Sequence, residues 1–317
     1  VTVVCERGQI ARGVAAALRD AGLDASVLEH GMRGWIGTLR AFPVDLGLPG
    51  VRVTQLQRPG RGCLSYLIAV GAEALVVDPA PDASFYLDLA AGLGVRVTQV
   101  FDTHIHADHL SGARALADLT GATLRLPAAS LERGIAFAER IVPVADGEEI
   151  VAGPPAIRAL SLPGHTTDMT GLLIGDRALV AGDSLFADGI ARPDLQRGDR
   201  EGALAMERVL YNTLRERSLG RTGDLILVPC HTHPGVRPAA LAPRLDEVRA
   251  AVPELSIDDP DRFATLLTAE MPPRPANYES IIAVNSGSSA TRWPSRVYRP
   301  ATSCSVLVIS SSMRRLT

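Results

Sequence analysis

The stretch THIHADHLSG, residues 103–112, carries three histidines and an aspartate between His104 and His109. Imidazole and carboxylate together suit first-row divalent ions. The H-x-H spacing puts His104 and His106 on one side of an extended segment, because strand side chains alternate with a period of two. Asp108 and His109 follow as a second pair of donors. Three further segments supply one donor each: His165 in LPGHTTD, Asp183 in VAGDSLF and His231 in VPCHTHP. Six of the chain's seven histidines fall in the cluster and these segments, which scattered core or surface histidines would not do. His233, the second histidine of HTH, is read as facing solvent. The cluster is expected to hold metal. The question it raises is whether that metal splits a bond with water or activates oxygen.

Each donor needs an element to aim it. VRVTQVFDT reads as a strand that ends just before the cluster, and a rigid strand aims ligands while the loop beyond it leaves room for substrate. AIRALSLPG, TGLLIGD, ALVAGD and DLILVPCHTHPG read as further strands, and the first, third and fourth end near His165, Asp183 and His231. Upstream, VRVTQLQ, CLSYLIAV and ALVVDPA are strands, the last closing in a turn at Asp78 and Pro79, and Cys63 and Tyr66 are read as core. Helices are expected over Ser84–Leu93, Ser111–Thr120 and from Arg200 to about Arg217. At the start, VTVV is followed by a helix with Ala11, Val14, Ala15 and Leu18 at i, i+3, i+4 and i+7. A short second strand completes one βαβ unit, too small to hold a core alone.

The chain has 317 residues, 46 % of them hydrophobic, which sets a prior of about two domains. The boundaries read are 1–42 for the N-terminal unit, 43–50 for a linker within the aperiodic RAFPVDLGLPG, 51–285 for the main domain and 286–317 for a tail. That tail is rich in Ser and Arg, lacks acidic residues and is expected to be disordered. A formal charge of −3 gives no basic field for nucleic acid, and the apolar runs stop short of the roughly 20 residues that span a bilayer. A soluble protein is expected. Four widely spaced cysteines without a C-x-x-C pair suggest neither a disulfide framework nor a cysteine-held zinc, so a reducing cytoplasm is expected. VTVVC reads as a strand rather than a secretory signal, and the chain is expected to begin inside a domain.

THIHADH, GHT, AGD and PCH, in this order over residues 51–285, resemble the metallo-β-lactamase fold, an α/β architecture built as an αββα sandwich with metals between its sheet edges. HADHLSG, ARPDLQRG, PCHTHPG and PPRPANYESIIAVN resemble its persulfide dioxygenase branch, the sulfur dioxygenases of the ethylmalonic encephalopathy protein type. The resemblance implies one Fe(II) per chain on His104, His165 and Asp183. His106, Asp108, His109 and His231 would then be outer groups or a second metal site. It also implies a low-molecular-weight persulfide such as glutathione persulfide and O2 as substrates, sulfite and thiol as products, and a homodimer among the partners, since family members often pair. Arg192 would anchor a substrate carboxylate or brace its loop through Asp194. Ala191 stands where the branch has Gly, and Pro193 follows Arg192. Two histidines and one carboxylate on one face of an ion leave adjacent positions for substrate and O2. A hydrolase uses the whole cluster to hold two ions. All residues of the two-metal set are present, so counting donors leaves a two-zinc, glyoxalase II-like thioester hydrolase open, and less so a lactonase. Finally, Val1 to Trp35, closing on LEHGMRGW, resembles the C-terminal half of a rhodanese domain. Cys5 then falls between strand and helix, where backbone N–H groups favour a thiolate. It is the sulfurtransferase candidate, the alternative being an inert remnant.

Overall fold

The computed structural model describes residues 1–289 except 197, 198, 234, 236–238, 270 and 272, together with the backbone of residues 307–309. The N-terminal unit runs β1 (Thr2–Val4), α1 (Gln9–Asp20), β2 (Ser26–Val27) and α2 (Gly31–Gly37). β1 and β2 pair in parallel, so the expected βαβ connection is present. Its core is small: Val3, Cys5, Ala11, Ala15 and Ala25. Arg58 ties the unit to the main body, donating from Nε to the Ile36 carbonyl at 2.7 Å.

A seven-stranded sheet follows chain order: β3 (Arg40–Val44), β4 (Val51–Gln57), β5 (Leu64–Val70), β6 (Glu73–Val77), β7 (Arg96–Phe101), β8 (Thr123–Pro127) and β9 (Val142–Val144). Its first four strands are antiparallel hairpin neighbours. The rest run parallel, with α3 (Ser84–Leu93) and α4 (Ala113–Thr120) as crossovers. A five-stranded sheet takes β10 (Glu149–Val151), β11 (Ile157–Ser161), β12 (Thr170–Ile174), β13 (Ala178–Gly182) and β14 (Ile226–Pro229), also in order. α5 (Arg200–Thr213), α6 (Leu245–Ala251), α7 (Pro260–Ala269) and α8 (Tyr278–Asn285) complete the fold.

Period-two alternation builds the layers. Leu67, Ala69 and Val76 turn outward to Tyr86 of α3 and Leu116 of α4. Their neighbours Tyr66, Ile68, Leu75 and Val77 turn inward and meet Ile157, Leu172, Val180 and Val228 of the second sheet. On that sheet's far side Leu179, Ala181 and Leu227 pack with Leu210, Val248 and Phe263 of α5, α6 and α7. The expected αββα sandwich is the result. Both faces of each central strand are buried, so the functional residues are left to the loops at the strand ends.

Three boundaries differ from expectation. Arg40–Val44 pairs along β4 from Arg40↔Gln57 to Val44↔Val53, so residues 43 and 44 belong to the sheet and not to a linker. An edge strand tolerates Pro43 and needs no strict alternation, which hid it. The third expected helix ends as α5 at Thr213 and continues as a wider π-type turn over Leu214–Leu219. In the tail, residues 290–306 and 310–317 lie outside the described residues. Leu307–Ile309, however, forms β15 antiparallel to β1, so the expectation of disorder fails at those three. Among the described residues no helix is long and apolar enough to cross a membrane.

Candidate metal centre

The donors arrive from three strand ends. The cluster loop follows β7, the His165 loop joins β11 to β12, and Asp183 stands one residue past β13. His104, His165 and Asp183 each offer one atom, and these atoms lie within 4.8 Å of one another. Asp183 Oδ2 is 3.9 Å from Nε2 of both histidines. All three residues are buried.

Both rings are held in the form a metal needs. His104 Nδ1 donates to the Thr103 hydroxyl at 2.9 Å, which in turn donates to Asp78 Oδ2 at 2.9 Å. His165 Nδ1 donates to the Arg192 carbonyl at 2.8 Å. With the proton fixed on Nδ1, the Nε2 lone pair of each ring points at the shared space. His104 Nε2 is buried without a hydrogen-bond partner, an arrangement that costs free energy unless something accepts the lone pair. Burial, with His106 and His165 beside it, holds His104 well below the usual imidazole range, so it stays neutral, as a ligand must. The residues therefore fit a divalent ion. Thr103→Val removes the hydroxyl that links Asp78 to His104. Such supports typically contribute 10–100-fold in metal affinity, and chelator-competition titration should show a loss of about that size.

The other members of the cluster are placed differently. His106 Nε2 lies 3.1 Å from Asp78 Oδ1. Burial and His109 oppose a charge on this ring, but Asp78 and Asp102 raise it above the usual value. Asp78 thus serves two histidines, and it also accepts the Thr103 backbone N–H at 2.7 Å. Asp108, His109 and Cys63 form a second set of donors within 4.8 Å. His231 bridges the two sets, with Nε2 3.3 Å from Asp108 and Nδ1 3.6 Å from Asp183. Burial pushes the Cys63 thiol up, yet His109 and His231 more than offset this and bring it to about 6. Arg192 grips Asp194 through Nε at 2.8 Å and Nη2 at 3.0 Å. Arg274 adds a bond to the same carboxylate at 2.9 Å, so Asp194 is buried under two guanidinium groups and braces the loop.

Residues 58–231 match the metallo-beta-lactamase superfamily. The chain belongs to this superfamily. Among its relatives, the human (Homo sapiens) mitochondrial persulfide dioxygenase ETHE1 is 25 % identical over 240 residues, covering 74 % of this chain and 87 % of the human protein. The crystal structure of ETHE1 from Myxococcus xanthus aligns with a TM-score of 0.62 and 26 % identity, over 74 % of this chain and 98 % of that one. A hydroxyacylglutathione hydrolase of Acidiphilium cryptum (strain JF-5) is 36 % identical, but over 128 residues, 40 % of this chain and 51 % of the hydrolase.

In this metallo-beta-lactamase frame the donor sets open onto a cavity of about 600 Å³. His165, Asp183 and His231 line it, and Phe186, Leu267 and Met271 are among its apolar walls. Arg192 also lines it, whereas Asp194 does not. Sequence reading missed several supports. Asp78 passed as a turn residue, although it adopts φ 49°, a left-handed conformation that a non-glycine residue takes only under constraint. Asp168 Oδ2 accepts from Ile105 N at 3.0 Å and Ser130 Oγ at 2.8 Å, while Oδ1 accepts from Arg133 Nη1 at 2.6 Å. Asn285 Nδ2 donates to the carbonyls of His106 and His109, both at 2.9 Å. A polar residue directly after a buried strand, as in VVDP, was the available signal for Asp78. Asp168 and Asn285 act across long sequence separations and left none.

Proposed function

We propose that this protein is an iron-dependent persulfide dioxygenase, converting a low-molecular-weight persulfide with O2 and water into sulfite and the corresponding thiol. The observation that carries the reading is the partition of the cluster. His104, His165 and Asp183 bring their donor atoms together, while His106 engages Asp78 instead of completing a two-ion set. Two histidines and one carboxylate are the donor set of non-haem Fe(II) oxygenases. Likeness to persulfide dioxygenases over nearly their whole length points the same way.

The balance is RSSH + O2 + H2O giving RSH, sulfite and two protons. Bound at the three donors, Fe(II) would supply adjacent coordination positions for a sulfur donor and O2. The chain's own part is preparation. Thr103 and the Arg192 carbonyl fix the two imidazole tautomers, the Asp194 brace holds the Arg192 loop, and the apolar walls limit water at the sulfur. Asp108, His109 and His231 stand beside the donors, with Asp108 in contact with both rings. Metal analysis with oxygen-electrode and sulfite assays tests the proposal: one iron per chain and O2 uptake on glutathione persulfide are expected. The second donor set, Cys63, Asp108 and His109, favours the other reading. Two zincs per chain with hydrolysis of a glutathione thioester would establish that hydrolase instead.

For Cys5 we propose a sulfur-carrying role. Its thiol accepts the Ala11 backbone N–H at 3.4 Å. Burial raises the thiol, but the backbone N–H groups of Ala11, Arg7, Gly8 and Ile10 lower it further, to a net value below the ordinary one. Cys5→Ser should abolish thiosulfate sulfurtransfer and leave persulfide-dependent O2 uptake within about twofold. Unchanged sulfurtransfer would mark the unit as an inert remnant.

A further inference from the structure

Glu207, on α5, is 0 % exposed, yet neither carboxylate oxygen has a hydrogen-bond partner among the described residues. It also lines the cavity that holds His165 and Asp183. A buried carboxylate without partners is costly, and nothing in the proposed reaction uses this one. Its place in the cavity is narrowly set. A Cβ at Gly164 would meet the Leu210 Cα at 2.5 Å, so α5 lies directly on the loop that presents His165. Glu207 is three residues before Leu210, about one helical turn or roughly 5 Å along the axis. Glu207, His165 and Asp183 thus line one cavity from adjoining segments, which suits a ligand whose Glu207-binding group is a short spacer from its sulfur.

The surroundings select its chemistry. Asp194, whose charge acts on Glu207, is held by Arg192 and Arg274, and among the described residues no cation hydrogen-bonds to Glu207. Burial and the Asp194 charge push the Glu207 carboxyl up to about 8, so it is carried protonated until a donor with positive charge arrives. Of the other carboxylates on the cavity wall, Asp108 and Asp183 belong to the donor sets and Asp188 lies 3.8 Å from His233, while Phe186, Leu267 and Met271 are apolar. We propose that Glu207 recognises a primary ammonium group on the substrate, set a short aliphatic spacer from the sulfur, so that amine-bearing thiols are preferred. The identity of the ligand as a persulfide rests on the dioxygenase reading; the recognition of the amine does not.

The test is calorimetric titration of the iron-loaded protein, without turnover, using three thioether probes: 2-(methylthio)ethylamine, its N-acetyl derivative and its N-trimethyl derivative. The primary amine should bind at least about tenfold more tightly than the trimethyl cation. That preference should disappear in Glu207→Met and shrink in Glu207→Gln. Without ligand, Glu207→Met should also raise the Tm by roughly 1–2 °C, a small shift because the chain is large, since an unpartnered buried carboxyl has been removed. Equal binding of amine and trimethyl probes, tightest binding of the N-acetyl probe, a preference that survives Glu207→Met, or a lower Tm would each overturn the assignment. Absence of O2 uptake on any persulfide would sink the dioxygenase reading while leaving the probe result to stand alone.

Discussion

Asp183→Asn is expected to leave a folded protein that retains less than about one-tenth of the wild-type iron and has lost persulfide-dependent O2 uptake. Asp183 is the single anionic member of the donor triangle, with Oδ2 3.9 Å from Nε2 of both His104 and His165 and 3.6 Å from His231 Nδ1. Neutral Asn halves the acceptor capacity at this point and removes the charge that offsets a divalent ion. Metal-centred stabilisation amounts to several kcal/mol, and each 1.36 kcal/mol is tenfold in rate, so a fall of about 10³-fold or more is anticipated. His104→Ala should do the same. Elemental analysis, oxygen-electrode rates and circular dichroism on the same preparations separate metal loss from unfolding. Full iron content in Asp183→Asn would remove this residue from the ligand set.

The second large effect concerns folding. Asp168→Ala should destabilise the protein by about 3–5 kcal/mol, the usual consequence of leaving one partner of a buried ion pair behind. The Arg133–Asp168 contact is 2.6 Å, with side-chain exposures of 10 % and 0 %. The same carboxylate pins Ile105 N in the middle of the cluster loop, so the variant should also lose iron affinity. Denaturant midpoints at unchanged m-value measure the first effect. Adding Arg133→Met should recover part of the stability, because the orphaned charge is then gone, but not the iron affinity, because Ile105 N remains unpinned. A loss under about 1 kcal/mol would mean that water replaces the pair.

These two residues mark what sequence could and could not reveal. Asp183, His165 and His231 were legible because each follows a strongly apolar strand, where a polar donor has little other reason to be. The helix over Ser84–Leu93 was legible to its ends, being bounded by a Pro- and Asp-containing turn and by Gly94. Arg40–Val44 was not, since an edge strand pairs through its backbone and leaves no alternation to read. The supports of the site were the least visible. Thr103, Asp78 and Asp168 act through hydrogen bonds that close only when separate loops meet, and one sequence does not encode those meetings in any local pattern. Cys63 was read as core, which its burial matches, but its place against His109 and His231 depends on an isolated bridge between Cys63 and His231 that joins the two sheets' ends.

In the proposed ligand set, the far ring nitrogen of each imidazole is anchored to the frame rather than to any ion: one through Thr103 and Asp78, the other through the Arg192 carbonyl. An incoming cation thus meets a finished receptor, and little reorganisation separates the bare protein from its loaded form. Removal by a chelator and later reconstitution can proceed on the native molecule. Which cation takes residence is then governed by supply in the cell as much as by selection at the site.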